Sequence, residues 1–270
     1  YWESDGEYHT EPEPEPEEND SIIPEYHDTE CEIDPVRLER DDVLGIELET
    51  WQDDIEEAGD YLSNLRNRLN DRMKYERDGS LDDHHGVEIV CQPYTLDEIS
   101  SGSSPWADIL AFCRKNGKCW DAGKGYGMHV SLNASAMTSC HIAKIVRFIN
   151  DNRELCELVS GREETRWAKY GARNTSAEHK QSDKYRAAAV RGSRIEVRIF
   201  RSTAKLESFL ANCEFCDAVR VYCKTASLSD RGLSDASFRD WLKLPENQKR
   251  YKNLLVKLDL KKINPKKAGV

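Results

Sequence analysis

The stretch LGIELET, Leu44 to Thr50, decides the fold, because Leu44, Ile46 and Leu48 alternate without a break with Gly45, Glu47 and Glu49. Side chains on a strand point alternately to its two faces, so this is a strand with one apolar face and two carboxylates side by side on the other. Three further stretches read the same way. In GVEIV, Val87 and Ile89 share a face and Glu88 takes the opposite one. In MHVSLN, Met128, Val130 and Leu132 oppose His129, Ser131 and Asn133; in RIEVRIF, Ile195, Val197 and Ile199 oppose Arg194, Glu196 and Arg198. Four strands of this kind make a sheet with one face turned to a core.

The second face is the informative one. An ordinary water-facing sheet surface is a mixture of Lys, Thr, Ser and Gln, and for any one strand that reading suffices. Taken together, the polar faces carry Glu47, Glu49, Glu88, His129, Glu196 and Arg198, with few Thr or Lys. Clustered carboxylates repel one another unless protonated or bridged by cations. Hard divalent ions such as magnesium take oxygen ligands of this kind and keep positions open for nucleotide phosphates. The inventory is that of a metal-and-phosphate site. ERDGSLDDHHGVE, Glu76 to Glu88, adds an Asp78-Gly79-Ser80 turn just before Glu88, which places Asp78 to add a ligand or orient a substrate amine. His84 and His85 in the same stretch read as solvent-facing loop residues.

Helical spacing predicts helices over 54–74, Ala107 to Arg114, Ser139 to Asn150 and Lys205 to Thr225, which would cover the apolar face. In the last of these, Leu206, Phe209, Leu210, Cys213, Cys216, Val219 and Cys223 fall on one helical face. The CxxC formed by Cys213 and Cys216 therefore reads as core, since a zinc site needs a second pair and none stands at suitable spacing. Nine scattered cysteines do not have the spacing of a disulfide scaffold, and reduced thiols in a cytoplasmic protein are expected.

Beyond the strands, the chain is unevenly charged. Residues 1–42 hold 17 Asp and Glu against Arg37 and Arg40, whereas the other 228 residues hold 33 acidic and 37 basic side chains. A mildly basic body suits anionic substrates and falls far short of a nucleic-acid-binding signature. EPEPEPEE, Glu11 to Glu18, alternates Pro with Glu and has little apolar surface to bury, so residues 1–40 are expected to form a disordered acidic arm. Residues 41–228 are expected to form the folded domain and 229–270 a helical, basic extension, with eight Lys or Arg from Lys249 onward against one Asp. No apolar run approaches the roughly 20 residues that span a bilayer, so no membrane partner is expected.

LGIELE, ERDGSL followed by GVEIV, GMHVSLN, and KYRAAAV leading into IEVRIFRST occur in the order found in the amidoligases, relatives of glutamine synthetase and glutamate-cysteine ligase. The chain resembles that family from Leu44 to about Cys223. The resemblance implies an α+β fold: a curved, largely antiparallel sheet with a concave active-site face and helices on the outer face. It also implies a carboxylate-amine ligase that uses ATP and Mg2+, with a carboxylate and an amine as substrates and an acyl phosphate between them. The substrate is expected to be a peptide, protein or cell-wall component. By motif, Glu47 and Glu49 are implied as paired metal ligands, with Glu88 and Asp78 completing the shell. His129 is implied to meet a metal or a phosphate. Glu196 would hold a metal, Arg198 would neutralise the transferred phosphoryl group, and Arg201 is a further phosphate candidate. The chain departs from the family's pattern at Ser131, where many relatives have a second histidine, at Gly125-Tyr126-Gly127, which lacks a frequent cysteine, and in the alanines after Arg186.

The loop from Lys169 to Lys184 has the position of a lid and the composition of an ordinary surface loop. Two rival readings stay open: a non-catalytic binding or structural protein that keeps this fold, and a metal-dependent phosphoesterase. A cysteine hydrolase has less support, because no cysteine adjoins a histidine in a recognisable turn.

Overall fold

The computed structural model describes residues 22–82, 84–119, 125–171 and 185–259. Among the described residues, seven strands form one open antiparallel sheet: β1 (Val43–Gln52), β2 (Met73–Glu76), β3 (Gly86–Thr95), β4 (Gly117–Lys118), β5 (Gly127–Asn133), β6 (Ala188–Arg191) and β7 (Arg194–Arg201). Six lie in the order β2-β3-β1-β5-β7-β6, and β4 pairs with the end of β1. The four strands expected from alternation are its centre, and their apolar residues from Leu44 to Ile199 are almost fully buried.

The helices cover that apolar face. They are α1 (Pro35–Leu38), α2 (Ile55–Arg68), α3 (Leu96–Ser101), α4 (Trp106–Asn116), α5 (Ser139–Asp151), α6 (Arg153–Ser160), α7 (Leu206–Thr225), α8 (Asp235–Leu242), α9 (Pro245–Arg250) and α10 (Lys252–Lys257). Among the described residues, no helix is long and apolar enough to cross a membrane. α7 is the central pillar, and it is buried on more than the one face its apolar spacing suggested: Asn212, Glu214 and Asp217 are as inaccessible as Cys213 and Cys216, and Arg220 is buried as well. All nine cysteines are free thiols.

Three expectations are corrected. The helix expected over 54–74 stops at Arg68, because Asn70 and Asp71 adopt positive φ (50° and 59°), a conformation their short polar side chains tolerate. Met73 then belongs to β2. Residues 22–40 do not belong to an arm. Ile23 is fully buried, Ile22 packs against Gly59 of α2, and Arg37 forks onto Glu98 at 2.7 and 2.9 Å. The acidic count of this segment hid the Ile22-Ile23 pair that anchors it. Residues 229–259 are likewise part of the core, since Tyr251, Leu254, Leu255 and Leu258 pack into the main hydrophobic cluster. Residues 1–21 and 260–270 lie outside the described residues, as does the expected lid beyond Gly171.

Candidate functional site

Antiparallel register brings the polar residues of different strands into rows. Glu76, Glu88 and Glu49 face one another across β2, β3 and β1; Glu47 lies opposite His129, and Ser131 opposite Glu196. These rows line a cleft of about 660 Å³ on the sheet face away from the helices. Glu47, Glu49, Asp78, Glu88, His129, Glu196 and Arg198 all border it.

Two irregularities shape the rows. β3 carries an extra residue between Cys91 and Tyr94 opposite Leu44–Ile46, which accommodates Pro93 where a regular ladder would need its missing N–H. β7 carries an extra residue between Val197 and Phe200 opposite Met128–Val130. Beyond this second bulge Arg201 is exposed, lies against Gly161, and does not border the cleft. The structure therefore separates this phosphate candidate from the others.

His129 is the hub. Its Nδ1 lies 3.2 Å from Glu47 Oε2 and its Nε2 3.7 Å from Glu49 Oε1, so the imidazole sits between the two carboxylates of the ExE strand. Glu49 also accepts the backbone N–H of Gly127. A Cβ at Gly127 would lie 3.2 Å from His129 Nε2 and 3.3 Å from Glu49 Oε2, so the absence of a side chain lets the backbone approach this pair. Glu47, His129 and Glu196 bring one ligand atom each within 4.8 Å of one another. Two carboxylate oxygens and an imidazole nitrogen form a donor set that fits a divalent cation.

Arginines stand on the other side of Glu196. Arg191 Nη1 is 3.1 Å, Arg198 Nη1 3.5 Å and Arg194 Nη2 3.6 Å from its carboxylate, and Arg194 also reaches to 3.9 Å from Glu47. Arg162 donates to the carbonyl of Arg198 at 2.8 Å. The Nε–H groups of Arg162 and Arg198 are buried with no acceptor among the described residues. Buried donors are nearly always satisfied, so these two invite an anion. Burial also pushes the Arg162 guanidinium below its ordinary pKa, opposed by the charge of Glu49.

No protein-family model and no curated protein matches the chain.

The charge states divide the cleft. Burial raises the pKa of Glu47, but its hydrogen bond to His129 and the charges of His129, Arg194 and Arg198 outweigh it and hold the carboxyl at about 2. Burial raises Glu88 as well, and there Glu47, Asp78, Glu49 and Glu76 add to it, pushing the group up to about 8. Glu88 is 8% exposed and has no hydrogen-bond or ion-pair partner among the described residues. It is also outside the Glu47–His129–Glu196 cluster.

Several lining residues carry no periodic signal in the sequence. Glu76 is fully buried on the short strand β2, held by Lys74 at 2.5 Å and by the backbone N–H of His27 at 3.1 Å. Tyr26 and His27 come from the anchored N-terminal segment, and Arg162, Trp167 and Tyr185 from loops. His85, expected to face solvent, instead stacks on Trp51 and approaches the Gln52 carbonyl at 2.8 Å, while His84 is exposed.

Proposed function

We propose that this protein is an ATP- and magnesium-dependent carboxylate-amine ligase that forms an amide through an acyl phosphate on a peptide, protein or cell-wall component. The observation that carries this reading is that a three-ligand cation cluster and two arginines with unsatisfied buried donors border one cleft. Glu47, His129 and Glu196 would hold the cation, which supplies charge neutralisation to the nucleotide phosphates. Arg198 and Arg162 would direct N–H donors at phosphoryl oxygens as charge develops there, the main protein contribution in phosphoryl transfer. Trp167 and Tyr185, in edge contact at 4.6 Å between ring centroids, offer an aromatic surface for the base. No protein nucleophile is needed.

Calorimetry of ATP binding with and without magnesium tests the reading. Binding is expected to need magnesium and to weaken at least tenfold in Glu47→Gln and in Arg198→Ala. An intact, folded chain that binds no Mg-ATP, with both variants unchanged, would favour the non-catalytic binding protein instead.

A further inference from the structure

The cleft is divided by charge. Glu49, Glu76, Asp78 and Glu88 line one end, and Arg162, Arg191, Arg194 and Arg198 line the other. The basic end is short of acids. Arg191, Arg194 and Arg198 share the single carboxylate of Glu196, and Arg162 donates to a carbonyl oxygen. Glu47 adds little, since it stands 3.9 Å from Arg194 and already meets His129.

These arginines stand at two depths. The Arg198 side chain is 13% exposed, and its buried Nε–H, like that of Arg162, serves the phosphate position of the proposed function. Arg191 and Arg194 flank the turn between β6 and β7, with side chains 33% and 48% exposed. They form a positive rim to which the ligase reading gives no role. Guanidiniums gathered around one acid repel one another, and a further carboxylate arriving at the rim offsets that repulsion.

The same chain carries such carboxylates. Residues 1–21 hold nine Asp and Glu and no Lys or Arg, and Glu11 to Glu18 is five Glu interleaved with three Pro. The acidic end of the cleft repels this segment, which leaves the basic rim as its complement. The chain is long enough to reach. Ile22 packs against α2, and Pro24 accepts the backbone N–H of Arg77 just past the end of β2. From β2 to β7 is four strand spacings, about 19 Å. The eleven residues from Glu11 to Ile22 can span up to about 36 Å. Tethering raises the local concentration of the segment to the order of millimolar, and proline at alternate positions limits the entropy lost on binding.

We propose that Glu11 to Glu18 dock on Arg191 and Arg194 of the same chain, so that the acidic segment covers the mouth of the basic end. This inference goes beyond the ligase reading and does not rest on it.

The test compares the full chain with a full-length variant in which Glu11, Glu13, Glu15, Glu17 and Glu18 are all replaced by Gln. The probe is the acetylated, amidated peptide EPEPEPEE, read by calorimetry at low salt without nucleotide or metal. The peptide is expected to bind the glutamine variant and to bind the parent at least tenfold more weakly, because there the rim is already covered. Adding Arg191→Gln and Arg194→Gln to the glutamine variant should weaken the peptide at least tenfold. Equal binding to the parent and the glutamine variant, or binding to neither, would overturn the proposal; that comparison alters no residue of the folded body. Peptide binding that survives loss of both arginines would also overturn it, and if tripolyphosphate binding is lost in the same chain the rim belongs to the nucleotide. A parent that sediments as a dimer beside a monomeric glutamine variant would place the segment on a second copy and overturn docking within one chain. Failure of Mg-ATP to bind leaves these outcomes unchanged, so the two readings fail separately.

Discussion

Asp217 and Glu88 are carboxylates buried on opposite sides of the same sheet, and their surroundings differ in every respect that bears on charge. Asp217, on α7, is fully inaccessible and accepts hydrogen bonds from Arg220 at 2.6 Å, Arg250 at 3.0 Å and the Tyr251 hydroxyl at 3.1 Å. Its donors come from α7 itself, from α9 and from the junction with α10, so one charge fastens three segments of the helical layer. Glu88 is nearly as deeply placed and has carboxylates for neighbours in place of donors. A buried charge with a full set of partners is part of the architecture. A buried charge without them lowers stability, and a ligand that arrives after folding gives it a physical reason to be there.

The largest effect is expected at the satisfied acid. Asp217→Ala strips the shared acceptor from two arginines and a tyrosine, and breaking a buried pair by removing one partner costs about 3 to 5 kcal/mol. Urea unfolding should show the midpoint falling with an unchanged slope. A loss below about 1 kcal/mol, the size of an exposed pair, would mean that the network does not hold α9 and α10 in place.

At Glu88 the sign reverses. Its carboxyl is raised to about 8 in the folded chain, so between the ordinary carboxylate range and pH 8 the folded state holds a proton that the unfolded state has released. Stability should therefore fall as pH rises through this window and level off above it. In EDTA, Glu88→Gln should remove that slope and leave the variant more stable than the parent at pH 9, by roughly 2 to 4 kcal/mol. A variant that unfolds earlier than the parent at pH 9 would remove the contrast between the two acids.

The same contrast marks what a sequence can disclose. The residues of the cleft that lie on long strands were legible, because period-two alternation in LGIELET or RIEVRIF puts Glu47 or Glu196 on a stated face whatever the neighbouring strand. Which of those acids would be provided with partners was not legible. That depends on register and on residues from loops and edges: Glu76 meets Lys74 only because four residues after the Asn70-Asp71 turn become a strand. The four residues of β2, the two of β4 and the alanines of β6 are too short or too plain to show a period. Residues 22–40 were misread for a related reason. Charge counting gives full weight to the exposed Glu25, Asp28, Glu30, Glu32 and Glu39 and none to the fully buried Ile23, whereas the energetics of packing reverse that weighting.

The smallest effect is expected at Glu98, which stands between the two cases: it is partnered like Asp217 but only partly buried, with its side chain 32% exposed. Arg37, from the anchored N-terminal segment, is the main cause of its low pKa of about 2; burial opposes the shift, and the N–H and hydroxyl of Thr95 assist it. A carboxyl held below its ordinary value stabilises the fold above the ordinary range, and that contribution is lost as pH falls towards 2. Replacing Arg37 by Met keeps much of the side-chain bulk and removes the fork, so the acid limb of the stability curve between about pH 4.5 and 2 should become shallower. Solvent screening limits the difference to about 1 kcal/mol. Because Thr95 and Glu98 form a capping box at the start of α3 independently of Arg37, the limb should shrink without vanishing. An acid limb identical in the two proteins would show that Thr95 alone depresses Glu98, and that the N-terminal segment is held by Ile22 and Ile23 and not by charge.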